Sequence, residues 1–496
     1  MKKTKVHTEY LDRISIDADG FIDDKTDSDL ELKRVFKLVD STRTLPGESV
    51  LYAWLRCQCL TEETLRGRTR WIESWQDYNG IDGSRKVFKK CGPQHRGSVV
   101  DEIWDPVPVF PRKYKYLLYI WLLLSIFAFS SPFFFGTSLL LFCVIPIASV
   151  NTIIHFKWHN RIAQYYYSIS YLTRLLTCGR KLRKKLPAGL NQEAGELTEL
   201  CDETRKLGKY TFLFINPNRV SMDIFDSILE YFRIFLLAEL AAYTTLYHRI
   251  HKLQPELKRI FEIIGRADAS LCVHDFINSD TRTCSPVFNQ EKNEVEFKQL
   301  FHPLVPDCLS NSASFKRGVI LTGANMAGKS TFLRTLGISH VTATTLGIAF
   351  AENFRIPFLR IATSLQTVDN LEQSQSHYYA EAQRLHALWS SGKSSEYRWL
   401  LLVDEILSGT NSRDRNSAAI AILTDLSKSN SLVIVTTHEQ DTARNLSKLF
   451  DNYHFTEEIR NNSVEFDYEL KEGIVERSNA LRLLRHVGFP EELIQG

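Results

Sequence analysis

The sequence lacks a Cys-x-x-Cys pair, although nine cysteines occur among its 496 residues. Without such a pair we expect no structural zinc site, and an odd number of scattered thiols is typical of a reduced, cytosolic protein. The first residues carry charge throughout and have no apolar core, so we expect no signal peptide. Net charge is also small, at +3, so any affinity for a polyanion must come from local basic clusters.

Charge is missing altogether between Tyr116 and Phe156, in a chain that is 24% charged overall. This run is about twice as long as the roughly 20 residues with which one helix crosses a hydrocarbon core. Helix-breaking residues between Ser130 and Thr137 divide it near its middle. The run therefore predicts a transmembrane helical hairpin, and a buried hydrophobic hairpin in a soluble core is the alternative.

Basic residues flank the hairpin on both sides, with Arg112, Lys113 and Lys115 before it and Lys157 and Arg161 after it. Segments rich in Lys and Arg stay on the cytoplasmic side of a membrane. We therefore predict a multi-pass hairpin in the inner, cytoplasmic membrane. The hairpin would contact the lipid bilayer, and the soluble domains would lie in the cytoplasm.

The periodicity of the apolar residues changes from helical to strand-like at about residue 290. Before it, apolar residues recur at helical spacing, as from Leu32 to Val39. After it, short apolar runs predict strands at 319–321, 400–403 and 432–435, separated by helical stretches. We therefore predict an all-helical region, interrupted by the hairpin, and then an α/β domain with a mixed or parallel sheet. The predicted domains are an N-terminal helical region at 1–110, the transmembrane helical hairpin at 111–160, a second helical region at 161–290, the α/β domain at 291–480 and a C-terminal helical tail at 481–496.

A glycine-rich loop follows the first predicted strand. The sequence there matches G-x-x-x-x-G-K-S between a strand-like and a helix-competent segment, which is the context that a phosphate-binding P-loop requires. Backbone N–H groups of the loop can surround a β-phosphate, Lys329 can neutralise β- and γ-phosphate oxygens, and Ser330 can ligate Mg²⁺. The residues predicted to bind the nucleotide are Gly323, Ala324, Asn325, Met326, Ala327, Gly328, Lys329, Ser330 and Thr331.

Two carboxylates end the second predicted strand, and a histidine follows the third. Asp404 is placed to hold Mg²⁺ together with Ser330, and Glu405 to polarise an attacking water. His438 falls where a sheet edge presents a polar group to a γ-phosphate. Lys329, Glu405 and His438 are thus the predicted catalytic residues. A solvated strand end and a packed or surface histidine are the alternatives.

These motifs together resemble the ATPase domain of the MutS mismatch-repair family, which belongs to the ABC-type ATPases. The resemblance rests on Thr322–Thr331, where the Asn-Met pair is distinctive, and on Asp404-Glu405, Gly409–Ser412 and Thr437-His438. It implies an α/β P-loop ATPase domain that uses ATP and Mg²⁺.

The helical part of the chain carries a weaker similarity. Phe301-His302-Pro303 resembles the segment that leads into the MutS ATPase domain. Asp40–Thr44, with Gly47 and Trp54-Leu55, resembles the start of the helical core of the family. The resemblance therefore implies helical core and lever regions before the ATPase domain. The whole pattern is similar to shortened, membrane-inserted MutS-like proteins.

The resemblance also implies a homodimer. In the family, a serine at a helix N-terminus of the other subunit completes the ATP site, and Ser376 matches that position. A hydroxyl and a helix dipole that face a γ-phosphate make physical sense. An ordinary N-cap serine is the alternative.

DNA is the further partner that the resemblance implies. The N-terminal region has no mismatch-reading Phe-x-Glu, and the sequence is too short for mismatch-binding and connector domains, so we do not expect mismatch recognition. The basic run from Arg180 to Lys185 can contact DNA phosphates or anionic lipid headgroups, or form a solvated helix face.

The leading hypothesis is a membrane-tethered, dimeric MutS-like ATPase whose nucleotide cycle opens and closes helical arms on DNA. The alternative is a membrane scaffold whose ATPase switches an unknown protein partner without nucleic acid. A transporter subunit is a weaker third reading, because two spans provide no translocation pathway and the sequence has no L-S-G-G-Q run.

Overall fold

A computed structural model of the chain describes residues 5–14, 19–94, 98–106, 115–135, 140–163, 165–209, 237–289, 294–324, 327–365, 377–394, 396–407, 412–460 and 463–474. The chain divides into two units, and each is described by itself. The first unit comprises Met1–Ile16, Ser41–Tyr52 and Trp71–Cys272, and the second comprises Asp17–Asp40, Ala53–Arg70 and Val273–Gly496.

Helices form most of the described chain before residue 280, as predicted. One of them spans Leu32–Val39 and buries Leu32, Val35, Phe36 and Val39, whose spacing had predicted this helix, while Leu38 is exposed. A π-helix occupies Leu140–Val144, and 3₁₀-helices occupy Ala188–Leu190 and Thr204–Lys209. The α-helices are α1 Lys5–Ile14, α2 Asp24–Asp29, α3 Leu32–Val39, α4 Leu45–Arg56, α5 Glu62–Glu73, α6 Ile81–Cys91, α7 Val99–Trp104, α8 Lys115–Phe135, α9 Ile145–Ala163, α10 Tyr166–Leu182, α11 Asn191–Glu203, α12 Ala238–Lys252, α13 Gln254–Ile277, α14 Lys329–Leu346, α15 His377–Lys393, α16 Ser412–Leu426 and α17 Gln440–Asn445.

A buried carboxylate of α13 holds the start of α4 in the first unit. Asp268 is fully buried and accepts hydrogen bonds from the backbone N–H groups of Arg43 and Thr44, at 3.0 and 2.8 Å. The Thr44 hydroxyl also donates to it, at 2.7 Å. Burial raises the pKa of Asp268 to about 6. Backbone N–H groups where the chain enters a helix lack acceptors within the helix. Asp268 accepts from two such groups and therefore fixes the segment that leads into α4, although it lies far from that segment in the sequence.

Helices α8 and α9 form the apolar pair, and a polar cluster lies in their contact. The Asn151 side chain is fully buried. Its Oδ1 accepts a hydrogen bond from Trp121 Nε1 at 2.7 Å, and its Nδ2 donates to Ser125 Oγ at 3.0 Å. Tyr119 of α8 also hydrogen-bonds to Thr245 of α12 at 2.6 Å. Such polar contacts between apolar helices fix how the helices pack.

The helix break was predicted from Ser130 to Thr137, and α8 continues through Pro132 and ends at Phe135, within that segment. Pro132 has no N–H to donate to the carbonyl of Ala128 one turn earlier. The Ser131 hydroxyl donates to that carbonyl at 2.8 Å and supplies the missing hydrogen bond. The remaining predicted breakers, Gly136 and Thr137, lie outside the described residues.

Helix α8 has the length and composition of a membrane-spanning helix. Only 22% of its apolar window, Tyr116–Phe135, is buried, and Phe133 exposes 90% of its surface. The apolar helix that follows, Phe142–Trp158, is shorter than a typical span. Within the described residues, the structure thus contains one helix of spanning length rather than the predicted two.

Strands are confined to the second unit in the described chain. They form a six-stranded sheet of order β12-β9-β4-β8-β7-β6, a four-stranded sheet of order β1-β5-β2-β3 and the hairpin β10-β11. The strands are β1 Val287–Phe288, β2 Val295–Leu300, β3 Asn311–Phe315, β4 Val319–Thr322, β5 Asn353–Ile356, β6 Arg360–Ser364, β7 Trp399–Asp404, β8 Leu432–Thr436, β9 Asp451–His454, β10 Glu457–Arg460, β11 Ser463–Phe466 and β12 Lys471–Glu472.

The six-stranded sheet confirms the predicted α/β domain. Its strands are parallel except for β12, and β4, β8 and β7 are neighbours. These three are the strands predicted from apolar runs, and the core of each is fully or almost fully buried. Because they are parallel, their carboxyl ends meet at one edge of the sheet.

Two N-terminal segments, Asp17–Asp40 and Ala53–Arg70, belong to the second unit. The predicted N-terminal domain at 1–110 did not separate them from the rest of the helical region. The Asp29 carboxylate of α2 accepts a hydrogen bond from the Thr363 hydroxyl of β6 at 2.8 Å. Gln58 donates to the Thr344 hydroxyl of α14 at 3.1 Å and accepts from the Ile361 N–H of β6 at 3.0 Å. These buried polar contacts attach the segments to the α/β sheet.

Candidate functional site

The loop after β4 leads directly into α14. Gly323 and Gly328 have φ angles of 141° and 105°, in the region that side chains rarely adopt and that favours glycine. Gly328 is the N-cap of α14, so the helix begins at Lys329. The N–H groups of its first turn have no acceptors within the helix. Asn325 and Met326, which were predicted to bind the nucleotide, lie outside the described residues.

The Lys329 side chain is held at the mouth of this loop. It is 5% exposed, and its ammonium group donates to the carbonyl oxygens of Gly323 and Ala324, both at 2.8 Å. The His438 Nδ1 atom lies 3.5 Å from the ammonium nitrogen. Burial lowers the pKa of Lys329, and the two carboxylates after β7 oppose that shift. An anion beside Lys329 would therefore be strongly attracted.

The ends of β7 and β8 bring the other predicted residues to the same place. Asp404 accepts a hydrogen bond from the Thr436 hydroxyl, and that hydroxyl oxygen accepts the Glu405 N–H at 3.1 Å. His438 Nε2 contacts the Glu405 carboxylate, and this hydrogen bond lowers the pKa of Glu405. His438 Nδ1 lies 3.0 Å from the Gly323 carbonyl oxygen. The three predicted catalytic residues are thus adjacent.

The backbone that follows β7 adopts an unusual conformation. Glu405 and Leu407 have φ angles of 58° and 57°, in the left-handed region that non-glycine residues seldom occupy. Such residues cost about 1 kcal/mol or more each, and they cluster at functional sites. The turn at Glu405 is therefore a local signal of function that is independent of the sequence motif.

A cavity of about 700 Å³ lies beside these residues. Its polar side includes Lys329, Ser330, Thr331, Asp404 and Glu405. A concave site that combines these charged groups with a mixed lining of apolar and polar side chains fits an organic ligand that carries an anionic group. The apolar part of the lining is formed by Leu300, Val305, Pro306, Leu309, Phe332, Phe455, Phe466 and Tyr468.

Sequence analysis missed Tyr468, which lies over the glycine-rich loop. Its Cδ1 atom is 3.1 Å from the position that a Cβ on Gly328 would take. Phe466 lies beside it, with ring centroids 6.0 Å apart, and Asn311 donates to the Tyr468 carbonyl at 3.1 Å. Tyr468 lies beyond the end of β11, and no local sequence pattern indicates which site it covers.

His302 also lines the cavity, at the segment that resembles the start of the MutS ATPase domain. Burial lowers its pKa to about 4, so the imidazole is neutral. Its Nδ1 atom accepts a hydrogen bond from the Leu304 N–H at 3.2 Å. His302 therefore shapes the cavity wall and contributes no charge.

Ser376 lies outside the described residues, as do Gly409, Thr410 and Asn411 of the resemblance. Helix α15 begins at His377, the residue directly after Ser376. This helix packs on the core, where Leu385 is buried and Trp389 partly buried. The role of Ser376 in completing a site stays a prediction.

Ser330 and Asp404 fit Mg²⁺ chemically, because they offer a hydroxyl and a carboxylate oxygen and both line the same cavity. Within the described part of the chain, no cluster of three or more His, Cys, Asp and Glu residues could hold a metal ion. Mg²⁺ does not need such a cluster, because it usually retains several waters and binds one or two carboxylates together with phosphates.

Nucleotide-binding α/β domains typically combine four features that are present here. These are a buried parallel strand, a glycine loop around a lysine, a helix that begins at that lysine, and carboxylates on a neighbouring strand. Residues 319–496 match the family model described as MutS domain V. This part of the chain is therefore similar to MutS domain V, which confirms the resemblance that its motifs predicted.

Curated relatives include proteins named Endonuclease MutS2. The protein from Thermus thermophilus is 30% identical over 211 residues, which cover 40% of this chain and 27% of the relative. The protein from Levilactobacillus brevis is 30% identical over 309 residues, which cover 57% of this chain and 36% of the relative. The chain thus spans about a quarter to a third of the length of these relatives.

Proposed function

We propose that this chain is a membrane-tethered, MutS-like ATPase that hydrolyses ATP between two subunits and binds DNA. The observation that carries the proposal is that Lys329, Asp404 and Glu405 line one cavity. His438 contacts both Lys329 and Glu405. This convergence lies within the region that matches MutS domain V.

Phosphate binding follows from the start of α14. The free N–H groups of the first helical turn and the positive end of the helix dipole favour an anion. Lys329 would exchange the carbonyl oxygens of Gly323 and Ala324 for β- and γ-phosphate oxygens. Ser330 and Asp404 would hold Mg²⁺, which neutralises phosphate charge when it is bound.

Hydrolysis would depend on Glu405. Its carboxylate is ionised because the hydrogen bond from His438, chiefly, lowers its pKa. An ionised carboxylate can orient the attacking water and accept its proton as the water oxygen bonds to the γ-phosphorus and ADP leaves. His438 would position Glu405 and link it to the loop through the Gly323 carbonyl.

The apolar part of the cavity would take the nucleotide base. Tyr468 is 46% exposed and lies directly against Gly328 of the loop. An aromatic ring with a free face can stack on a planar base, and such stacking contributes about 1–3 kcal/mol. Tyr468 would therefore add affinity for the base to the affinity for the phosphates.

Closure of the site would require a second copy of the chain. Ser376 precedes α15 directly, so its hydroxyl and the helix N-terminus could act on a γ-phosphate together. We place this group in the partner's site because the MutS-like resemblance implies a composite arrangement. The dimer would then close only when ATP bridges the two subunits.

Helix α8 supports the membrane tether. Its 21 residues reach about 31 Å at 1.5 Å per residue, close to the thickness of a hydrocarbon core. Its window is mostly unburied, and exposed Phe and Leu side chains surround it. The soluble domains would stay in the cytoplasm, with α8 and α9 crossing the membrane as a hairpin.

DNA binding is the part of the proposal that an experiment can separate from the rest. The full-length protein is solubilised in detergent and mixed with homoduplex, mismatched and branched DNA, with and without ATP, over a salt series. Salt-dependent binding to duplex DNA together with ATP hydrolysis supports the proposal. ATP hydrolysis without DNA binding at any salt would favour a membrane scaffold that switches a protein partner. Absence of ATP binding would contradict the proposed site.

A further inference from the structure

Helices α6 and α10 lie side by side in the first unit and run in opposite directions. At one end, the Ser84 hydroxyl donates to the Lys185 carbonyl, and Lys185 Cδ lies 3.3 Å from the position that a Cβ on Gly83 would take. At the other end, an Arg174 guanidinium nitrogen lies 3.7 Å from the corresponding position on Gly92. These two contacts fix which residues of the pair are neighbours on its outer face.

Basic side chains occupy that outer face on both helices. On α6, Lys86 and Lys90 are one turn apart and share a face with Gly83. On α10, Arg174 and Lys181 share a face two turns apart, and Lys185 continues the row beyond the end of the helix. All five basic residues are exposed. We refer to Lys86, Lys90, Arg174, Lys181 and Lys185 as the basic surface.

Acidic side chains do not neutralise the basic surface. Within the described chain, none of its five members forms a salt bridge, and the nearby carboxylates of Asp82 and Asp202 pair with Arg85 and Arg183 instead. The basic run from Arg180 to Lys185 therefore does not lie on one face. Lys181 and Lys185 belong to the basic surface, whereas Arg183 pairs with Asp202 of α11. The uncompensated charge creates a local positive potential that the net charge of +3 conceals.

Exposed apolar groups are also missing from this surface. In the described residues, no large hydrophobic side chain of α6 or of 166–185 is highly exposed, whereas many are on α8 and α9. Helices that bind lipid headgroups usually combine cations with exposed aromatic or aliphatic side chains. The composition therefore favours a polyanion in water over a membrane surface.

We propose that the basic surface binds the phosphate backbone of duplex DNA. This inference rests on the proposed DNA-binding function and assigns that partner to a surface. The row from Arg174 to Lys185 is about 16 Å long at 1.5 Å per residue, and packed helices lie about 8–10 Å apart. One DNA strand presents a phosphate about every 3.4 Å along the axis, so the row faces about four or five base pairs. Contacts to phosphates alone position the duplex without reading its sequence.

The test compares two triple variants of the full-length protein in detergent. Lys86→Gln/Lys181→Gln/Lys185→Gln neutralises the basic surface, and Lys33→Gln/Lys37→Gln/Lys428→Gln removes the same charge from exposed positions of the second unit. Binding to a fluorescent homoduplex is measured by anisotropy between about 50 and 200 mM salt. We expect the first variant to bind DNA at least about tenfold more weakly. The magnitude of the slope of log K against log salt should decrease by about 2–3, because each lost phosphate contact removes about 0.9. The first variant should keep an ATPase activity close to that of the wild type. The control variant should keep a DNA affinity close to that of the wild type.

Three other results would overturn the inference in distinguishable ways. If the wild type binds DNA and the first variant retains its affinity and salt slope, the surface assignment is wrong and the proposed function stands. If the wild type binds no duplex at any salt, the DNA-binding function fails together with the surface. If the first variant retains DNA binding, but phosphatidylserine added to the detergent micelles no longer competes with DNA as it does for the wild type, the surface binds lipid.

Discussion

Glu405 and His438 contact each other across the ends of the neighbouring strands β7 and β8, although 33 positions separate them in the printed sequence. The contact exists because parallel strands end at the same edge of the sheet. His438 also reaches the carbonyl of Gly323. One imidazole therefore links the carboxylate that would act on water to the loop that would hold phosphate.

This geometry predicts that Lys329 and Glu405 act at different steps. Lys329→Ala should abolish ATP binding, because it removes the cation that would face the β- and γ-phosphates. Glu405→Gln should retain ATP and hydrolyse it at least about tenfold more slowly, since a positioned base contributes about 10² to 10⁴ in rate. Equilibrium binding and single-turnover hydrolysis distinguish the two, with Lys37→Ala as a control at an exposed lysine. Full hydrolysis by Glu405→Gln would remove Glu405 from the mechanism.

Tyr468 should contribute affinity through its ring alone. Tyr468→Ala should raise the Kd for ATP by about five- to a hundredfold, because the lost stacking is worth about 1–3 kcal/mol. Tyr468→Phe retains the ring and should bind within about twofold of wild type. Titration calorimetry of both variants checks this, and equal Kd values for wild type and Tyr468→Ala would show that the base binds elsewhere.

The strands around the site could be predicted from sequence because each carries its own local signal. The cores of β4, β7 and β8 are buried, so they appear as short continuous apolar runs. Polar residues lie where each strand ends, as Asp404 does at the last position of β7 and Glu405 directly after it. Local composition was therefore sufficient to locate three of the four residues that converge, and the glycine motif located Lys329.

Contacts between distant segments could not be predicted in this way. The Asp268 contact with Thr44 and the Gln58 contact with Ile361 each join residues far apart in the chain. No local periodicity encodes such pairs. Pro132 was misjudged for a related reason, because a neighbouring serine hydroxyl supplies the hydrogen bond that the proline cannot make.

The apolar helices should hold the protein in the membrane with both soluble parts in the cytoplasm. Replacing 116–156 with a short Gly-Ser linker should release the protein into the soluble fraction and leave ATP binding intact, because the glycine-rich loop belongs to the other unit. Thr137→Cys in a cysteine-free background should react with an impermeant maleimide from outside the cell. Lys428→Cys should react only after permeabilisation. A soluble full-length protein, or a Thr137→Cys that reacts only from inside, would contradict the hairpin.

Glu102 should make the first unit less stable as pH rises. Burial, with a smaller effect of Asp101, raises its pKa to about 8, so the folded state binds a proton that the unfolded state releases above about pH 4.3. The stabilisation is complete below that pH and is lost as pH rises through about 8, at up to about 1.4 kcal/mol per unit. Glu102→Gln should flatten this dependence between pH 6 and 8.5. Thermal unfolding at a series of pH values, followed by tryptophan fluorescence to which Trp104 contributes, measures this stability. Identical pH profiles for the wild type and Glu102→Gln would refute the role of Glu102.

Complementation between two inactive chains tests the shared ATP site most directly. Ser376→Arg and Lys329→Ala should each be inactive alone, because each homodimer lacks one component of both sites. In a heterodimer, one site combines the intact Lys329 of the first chain with the intact Ser376 of the second. An equal mixture should therefore recover about a quarter of wild-type ATP hydrolysis if subunits exchange freely in a symmetric dimer. No recovery in a mixture that crosslinking shows to contain heterodimers would contradict the composite site and favour a monomeric switch.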